Sequence, residues 1–334
     1  MNDRLPDRPD SVSRSGFGID LDVWATAFLR CVMTKRPGRL GVWAGLQEKT
    51  GRFMSRLHLT MLPIAVGLAA LMTHLIVNGS ENPTVLTTAA ALPNEFASAD
   101  DQPSHPPVDF QVLIKVYETT QSESEPVAKH TVMFREGVIY DFEESEGGTI
   151  TVFDTARKRV VLLDTKSSVR TQIGTKDLIQ MTAQLRASAA SKDIQERLGM
   201  QAKVTHDEVT DQYSIQYGSV RYTTTTQRPT GQGVSSQDCA TEFGRFADWA
   251  SRLNIARQLG LPPFGRMSLN GRLAADGQVP DRLSLEFDQG NTTSRYHSTH
   301  EVVLEIGETE QKRIDEVGSM IALYRDVPLK SFSK

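Results

Sequence analysis

The sequence predicts an α+β protein, a curved antiparallel sheet packed against about three helices and preceded by one transmembrane helix. Three observations carry this reading. Residues 57–77, LHLTMLPIAVGLAALMTHLIV, form one uncharged apolar run. From Phe110 onward, short runs rich in β-branched and aromatic residues recur between turns, as strands do. From Gly174 the apolar spacing changes to that of helices.

The apolar run comes first in the chain. About 20 residues at a rise of about 1.5 Å each cross the roughly 30 Å hydrocarbon core of a bilayer. Lys35, Arg36, Arg39, Lys49, Arg52 and Arg56 precede Leu57–Val77, and no Lys or Arg follows it until Lys115. Basic flanks resist translocation, so the N-terminus is expected in the cytoplasm and the body outside it. The expected location is therefore the cytoplasmic (inner) membrane, crossed once. Read from Met54, the same stretch is like a secretory signal, with small-residue triplets at Ala89-Ala90-Ala91 and Ala97-Ser98-Ala99. Cleavage there would make the protein secreted. Both triplets lie well beyond the apolar run, which is also longer than a usual signal core, so a retained anchor is the expectation.

Four segments follow from this. Residues 1–56 form a cytoplasmic piece, partly disordered, in which everything before Met54 can also be a start-site artefact. Within it, Leu21–Lys35 has the pattern of a short amphipathic helix. Residues 57–77 are the signal anchor, and 78–109, with five prolines, read as an extended linker. Residues 110–330 are the extracytoplasmic α+β domain.

Charge divides along the same line. Residues 1–56 hold ten Lys/Arg against six Asp/Glu, a net +4, so with the chain at -4 the rest is -8. An acidic body argues against a nucleic-acid partner, which needs a basic surface. Two cysteines occur, Cys31 and Cys239, and the inferred topology puts them on opposite sides of the membrane. The body must then rest on a hydrophobic core without a disulfide.

In the body, FQVLIKVYETT, KHTVMFREGVIYDFEE, TITVFDTA and KRVVLLDT read as a meander of antiparallel hairpins. Val132 and Phe134 alternate with Thr131 and Arg135, and Val138, Tyr140 and Phe142 with Asp141, so one buried and one more polar face are expected. Thr175 can cap a helix over Lys176–Leu198 that Gly199 ends. The stretch from Ala202 to Gln227 reads as a hairpin, in which Thr223–Thr226 could be an edge strand. A helix over about Ser236–Leu259 is stopped by Gly260 and Pro262-Pro263. Three strands are expected next, in RMSLNGRLAAD, DRLSLEFDQ and STHEVVLEI, the first turn falling at Asp276-Gly277. The last helix is Glu308–Leu323.

Catalytic signatures are not found. Phosphate-cradling GxxxxGKS/T and GxGxxG patterns are missing, as is a GxSxG elbow. His300-Glu301 starts like a zinc-protease HExxH, but Leu304 takes the fifth place. His297 and His300, three apart on a strand, should face opposite ways and bind no metal together. Glu143, Glu144 and Glu146 read as a solvated turn, and Asp154 and Asp164 as turn residues satisfied locally. Cys239, at a helix start, reads as a small buried apolar residue. No cofactor, metal or catalytic residue is therefore assigned. The ligand-binding candidates are Tyr213, Tyr217, Tyr222, Phe243, Phe246 and Trp249, which would line an apolar hollow between sheet and helices or else fill the core.

The phrase FREGVIYDFEE…ITVFDTARKRVVLLDT running into a helix resembles the lipoprotein-localisation carriers (LolA-like) of bacterial envelopes, over about residues 110–324. The resemblance implies a half-barrel-like sheet closed by helices and an extracytoplasmic module that binds an acyl chain or other hydrophobic partner. Those carriers are released as soluble proteins, whereas this chain reads as tethered, and no residue here maps to their ligand-gating arginine. The expected function is a membrane-anchored binding or scaffold protein, with or without a lipid-sized groove for a lipid or other hydrophobic ligand. Its partners would be the membrane through Leu57–Val77 and a hydrophobic ligand or envelope protein. The alternatives are an envelope hydrolase whose site assembles only in the fold and a purely structural envelope protein.

Overall fold

The computed structural model describes residues 107–119, 125–231, 233–257, 260–289 and 292–332. The apolar run Leu57–Val77, the N-terminal piece and most of the linker lie outside the described residues. Among those that are described, no helix is long and apolar enough to cross a membrane.

The body is α+β, built on one open, curved sheet of twelve strands. The first six form the expected meander: β1 (Phe110–Glu118), β2 (Ala128–Arg135), β3 (Val138–Glu143), β4 (Thr149–Asp154), β5 (Arg159–Asp164) and β6 (Val169–Gly174). Tight turns join them. Asp154 Oδ1 accepts from the Arg157 amide at 3.1 Å, and Asp164 Oδ1 accepts from the Lys166 and Ser167 amides at 3.0 Å. These aspartates are local turn residues, as the sequence suggests.

Two helices follow, α1 (Thr175–Ser188) and α2 (Lys192–Arg197). The single helix expected over Lys176–Leu198 is thus broken in two. Ser191 starts the second piece by accepting from the Ile194 amide at 3.3 Å. Strands β7 (Thr205–Asp207), β8 (Gln212–Tyr217) and β9 (Val220–Gln227) come next. The long helix α3 (Ser236–Arg257) and the helix α4 (Pro263–Ala275) precede β10 (Val279–Gln289) and β11 (Thr292–Val303). Last are α5 (Glu308–Leu323), with the bounds the sequence predicts, and the short β12 (Arg325–Asp326).

The strand expected in RMSLNGRLAAD is α4, and five helices rather than about three are found among the described residues. The physical reason is Pro263. It occupies the first turn of α4, where a missing amide costs no hydrogen bond, so it starts a helix instead of only ending one. Asp276-Gly277 is a turn as expected, but it ends this helix. Gly277 adopts φ 66°, and the Gln278 amide reaches the Leu273 carbonyl at 2.8 Å.

The sheet order is β12-β6-β5-β4-β3-β2-β1-β11-β10-β9-β8-β7. All neighbours are antiparallel except β12 and β6, which are parallel, so the sheet is mixed and not purely antiparallel. Strand β9 lies between β10 and β8, so Thr223–Thr226 is not an edge strand.

Side-chain alternation and register separate the two faces. Phe110, Val112, Val132, Phe134, Ile139, Phe153, Val160 and Leu162 point to one face and pack with Leu178 of α1 and Cys239, Phe243, Phe246 and Trp249 of α3. Met133, Phe142, Ile150, Val152, Val161 and Leu163 point to the other face and pack under Ile314 and Val317 of α5. Strands β4 and β5 are consequently buried on both sides, which corrects the expectation of one polar face in the meander. A third cluster joins the helices to one another through Leu185, Leu198, Ile255, Phe264 and Met267.

Candidate functional site

The six aromatic candidates are all buried, at 8 % exposure or less, but they do not meet. Phe243, Phe246 and Trp249 lie on the inner side of α3, where Phe246 makes edge contacts with Phe134 at 6.2 Å and Phe153 at 5.8 Å. Tyr213, Tyr217 and Tyr222 project from β8 and β9 into a separate cluster with Leu269 and Leu273 of α4, Phe287 and Tyr296. Their hydroxyls are accommodated in place. Tyr213 donates to Asp276 Oδ2 at 2.9 Å, and Tyr217 donates to the Pro262 carbonyl at 3.1 Å. Burial pushes the Tyr213 hydroxyl up to about 12 and Tyr217 well above its ordinary value. Gly265 of α4 sits so close to the Tyr217 ring that an added Cβ would fall 2.0 Å from it. Cys239 is fully buried, and burial pushes its thiol up to about 11, which makes it a poor nucleophile. Among the described residues no group of three or more His, Cys, Asp or Glu is arranged to hold a metal.

His297 and His300 face opposite sides of the sheet, as their spacing requires. His297 stacks on its cross-strand partner Tyr117 at 4.9 Å, whereas His300 meets the edge of Phe243 on the α3 side at 5.8 Å.

The other face of strands β8 to β11 carries no apolar cluster and no packed helix among the described residues. Its cross-strand register sets out three rows of side chains. One row runs Gln216, Arg221, Glu286, Arg295; the next runs Ser214, Thr223, Ser284, His297; the third runs Gln212, Thr225, Arg282, Thr299. Short hydroxyl side chains thus form a floor between longer arginines. The result is a surface hollow of about 240 Å³, lined by Arg221, Thr223, Arg282, Ser284, Arg295 and His297 among others. Arg295 binds Glu286 through two nitrogens at 3.2 and 3.3 Å, and Arg221 binds Gln216 Oε1 at 3.2 and 2.8 Å. Among the described residues that line it, three are arginines and one is a glutamate, on a body whose net charge is negative. A sequence reading could have found this patch in the polar alternation of RYTTTTQ and DRLSLEFD, had the uncovered face been known.

A second polar group lies on the helix side, between the two aromatic clusters. It combines Asp248 of α3, Arg266 and Asn270 of α4 and His300 of β11. Burial raises the Asp248 carboxyl to about 6, although Arg252, Asn270 and Arg266 pull it down. Burial, aided by Arg266, lowers His300 to about 3, so the ring is neutral. Arg266 also lies over the Tyr222 ring, 5.7 Å from its centroid. Sequence reasoning missed all four residues but His300, because nothing in a sequence marks a polar side chain as desolvated.

The chain matches no protein-family model, and no curated protein matches it.

Proposed function

We propose that this chain is a membrane-anchored extracytoplasmic scaffold that binds an envelope protein through the arginine-walled hollow on the hydroxyl-bearing face of β8–β11. The observation that carries this reading is the hollow itself: a hydroxyl floor lined, among the described residues, by three arginines and one glutamate, on an otherwise acidic body. Arginine forks match carboxylates in geometry, and rim charges steer a complementary partner. The partner is accordingly a protein presenting acidic side chains. The membrane part of the proposal rests on the uncharged run Leu57–Val77 and its basic flank.

A lipid-sized interior groove has less support. The aromatic side chains that would line it are buried in two separate clusters, and helices α1, α3 and α4 pack among themselves. Kinship with the lipoprotein-localisation carriers belongs to the same proposal at the level of architecture alone.

Calorimetric titration of the full-length protein in detergent with an oligoglutamate peptide tests the reading. Binding that weakens with salt is expected, with Arg221→Ala/Arg282→Ala weakening it roughly tenfold, about 1.4 kcal/mol. Equal affinity of the double variant would reject the hollow as the site. A reporter active only in the cytosol, fused to the C-terminus, is expected to stay dark.

A further inference from the structure

Asp248 and Arg266 are oppositely charged groups that act on one another, yet no ion pair within 4 Å joins them among the described residues. Five polar atoms at this place have no partner within 3.5 Å in hydrogen-bond geometry: Asp248 Oδ1, Arg266 Nη1, Asn270 Nδ2, Asn270 Oδ1 and His300 Nδ1, although Asn270 approaches Asp248 closely enough to lower its carboxyl. Asn270 and His300 are almost completely buried, at 3 % and 6 % exposure. Asp248 and Arg266 are half-buried, with the named atoms enclosed. Leaving a buried donor or acceptor orphaned is costly, so five at one place call for a common partner.

The chemistry of the five atoms defines that partner. Arg266 Nη1 and Asn270 Nδ2 only donate, while Asp248 Oδ1 and Asn270 Oδ1 only accept. The neutral His300 ring donates its other nitrogen to the Asp281 backbone, which leaves Nδ1 an acceptor. An anion would satisfy the donors and be repelled by Asp248, and a cation would meet Arg266. A hydroxyl group, which donates and accepts at once, fits both sets.

We propose that Asp248, Arg266, Asn270 and His300 form an internal binding site for small neutral hydroxyl ligands, water or a short polyol, held between α3, α4 and β11. The ligand bridges Asp248 to Arg266 and fastens both helices to the sheet at the seam between the two aromatic clusters. Buried waters characteristically make about three hydrogen bonds to such groups. This site is independent of the arginine-walled hollow, which lies on the opposite face.

A crystal structure of the full-length protein, grown without added polyol, tests the site. Density bridging Asp248 Oδ1, Asn270 and Arg266 Nη1 is expected. Mass spectrometry of a denatured extract of the same preparation then separates a co-purified polyol from water, and either supports the proposal. In Asn270→Leu the bridge is expected to lose its Asn270 contacts while persisting between Asp248 and Arg266. Direct Asp248–Arg266 and Asn270–His300 hydrogen bonds, with no density between them, would overturn it.

Discussion

The two ends of the sheet are built on different plans. Strands β2 to β5 are covered on both faces, by α1 and α3 on one side and α5 on the other. Among the described residues, strands β8 to β11 are covered on one face only, by α4 and α3, and carry hydroxyl and charged side chains on the other. The first end stores stability, and the second supplies a surface. The difference is written in the strands themselves. RVVLLD holds four apolar residues in a row, and TITVFD, like it, is buried at five successive positions, as doubly covered strands must be. QYSIQY and VRYTTTTQ alternate, as singly covered strands must.

Truncations at the two ends should therefore differ most. Phe153→Ala, in the doubly covered end, is expected to cost about 3–5 kcal/mol in urea unfolding. Ser284→Ala, on the hollow floor, is expected to stay within about 0.5 kcal/mol. Similar losses at both positions would break the comparison.

Acid titration comes next in size, because the polar group between the clusters holds two shifted residues. His300 is depressed from 6.5 to about 3, so unfolded chains bind more protons in that window and stability falls as pH drops through it. Asp248 is raised from 3.8 to about 6, so the folded chain binds more protons there and stability falls as pH rises through that window. Between pH 4 and 6 the two slopes oppose one another. His300→Asn is expected to unmask the Asp248 slope, giving greater stability at pH 4.5 than at pH 6.5 relative to wild type. Asp248→Asn is expected to do the reverse, leaving the protein more acid-sensitive. Thermal melts across pH 4–7 would show a parallel response of both variants if neither group is desolvated.

Glycine substitutions in α4 sharpen the comparison on a smaller scale. Gly265→Ala drives a methyl into the Tyr217 ring and is expected to cost about 1–3 kcal/mol. Gly271, exposed on the same helix with nothing within 4 Å of an added Cβ, should gain up to about 1 kcal/mol as alanine. Melting temperatures moving in the same direction would contradict the packing of α4 on β8.

Much of this architecture was legible from residue pattern. The meander, the helix Glu308–Leu323 and the opposed faces of His297 and His300 follow from period and spacing alone. The helix α4 was hidden because Met267 and Leu269 alternate like a strand, and because Pro262-Pro263 reads as a stop when Pro263 is a start. Burial of the six aromatics was readable, but their division was not. That division depends on α3 packing over β1–β5 and α4 over β8–β10, contacts between elements far apart in sequence. The desolvation of Asp248 and Arg266 comes from helix packing and the arginine rows across β9, β10 and β11 from strand register, and local pattern encodes neither.

The most direct test of the arginine-walled hollow is an NMR titration of the arginine Nε–H signals of the full-length protein with oligoglutamate. Arg221, Arg282 and Arg295 are expected to shift together and saturate together, with Arg170 and Arg245 at the doubly covered end unmoved. Shifts confined to Arg170 and Arg245, or spread evenly over every arginine, would contradict the account.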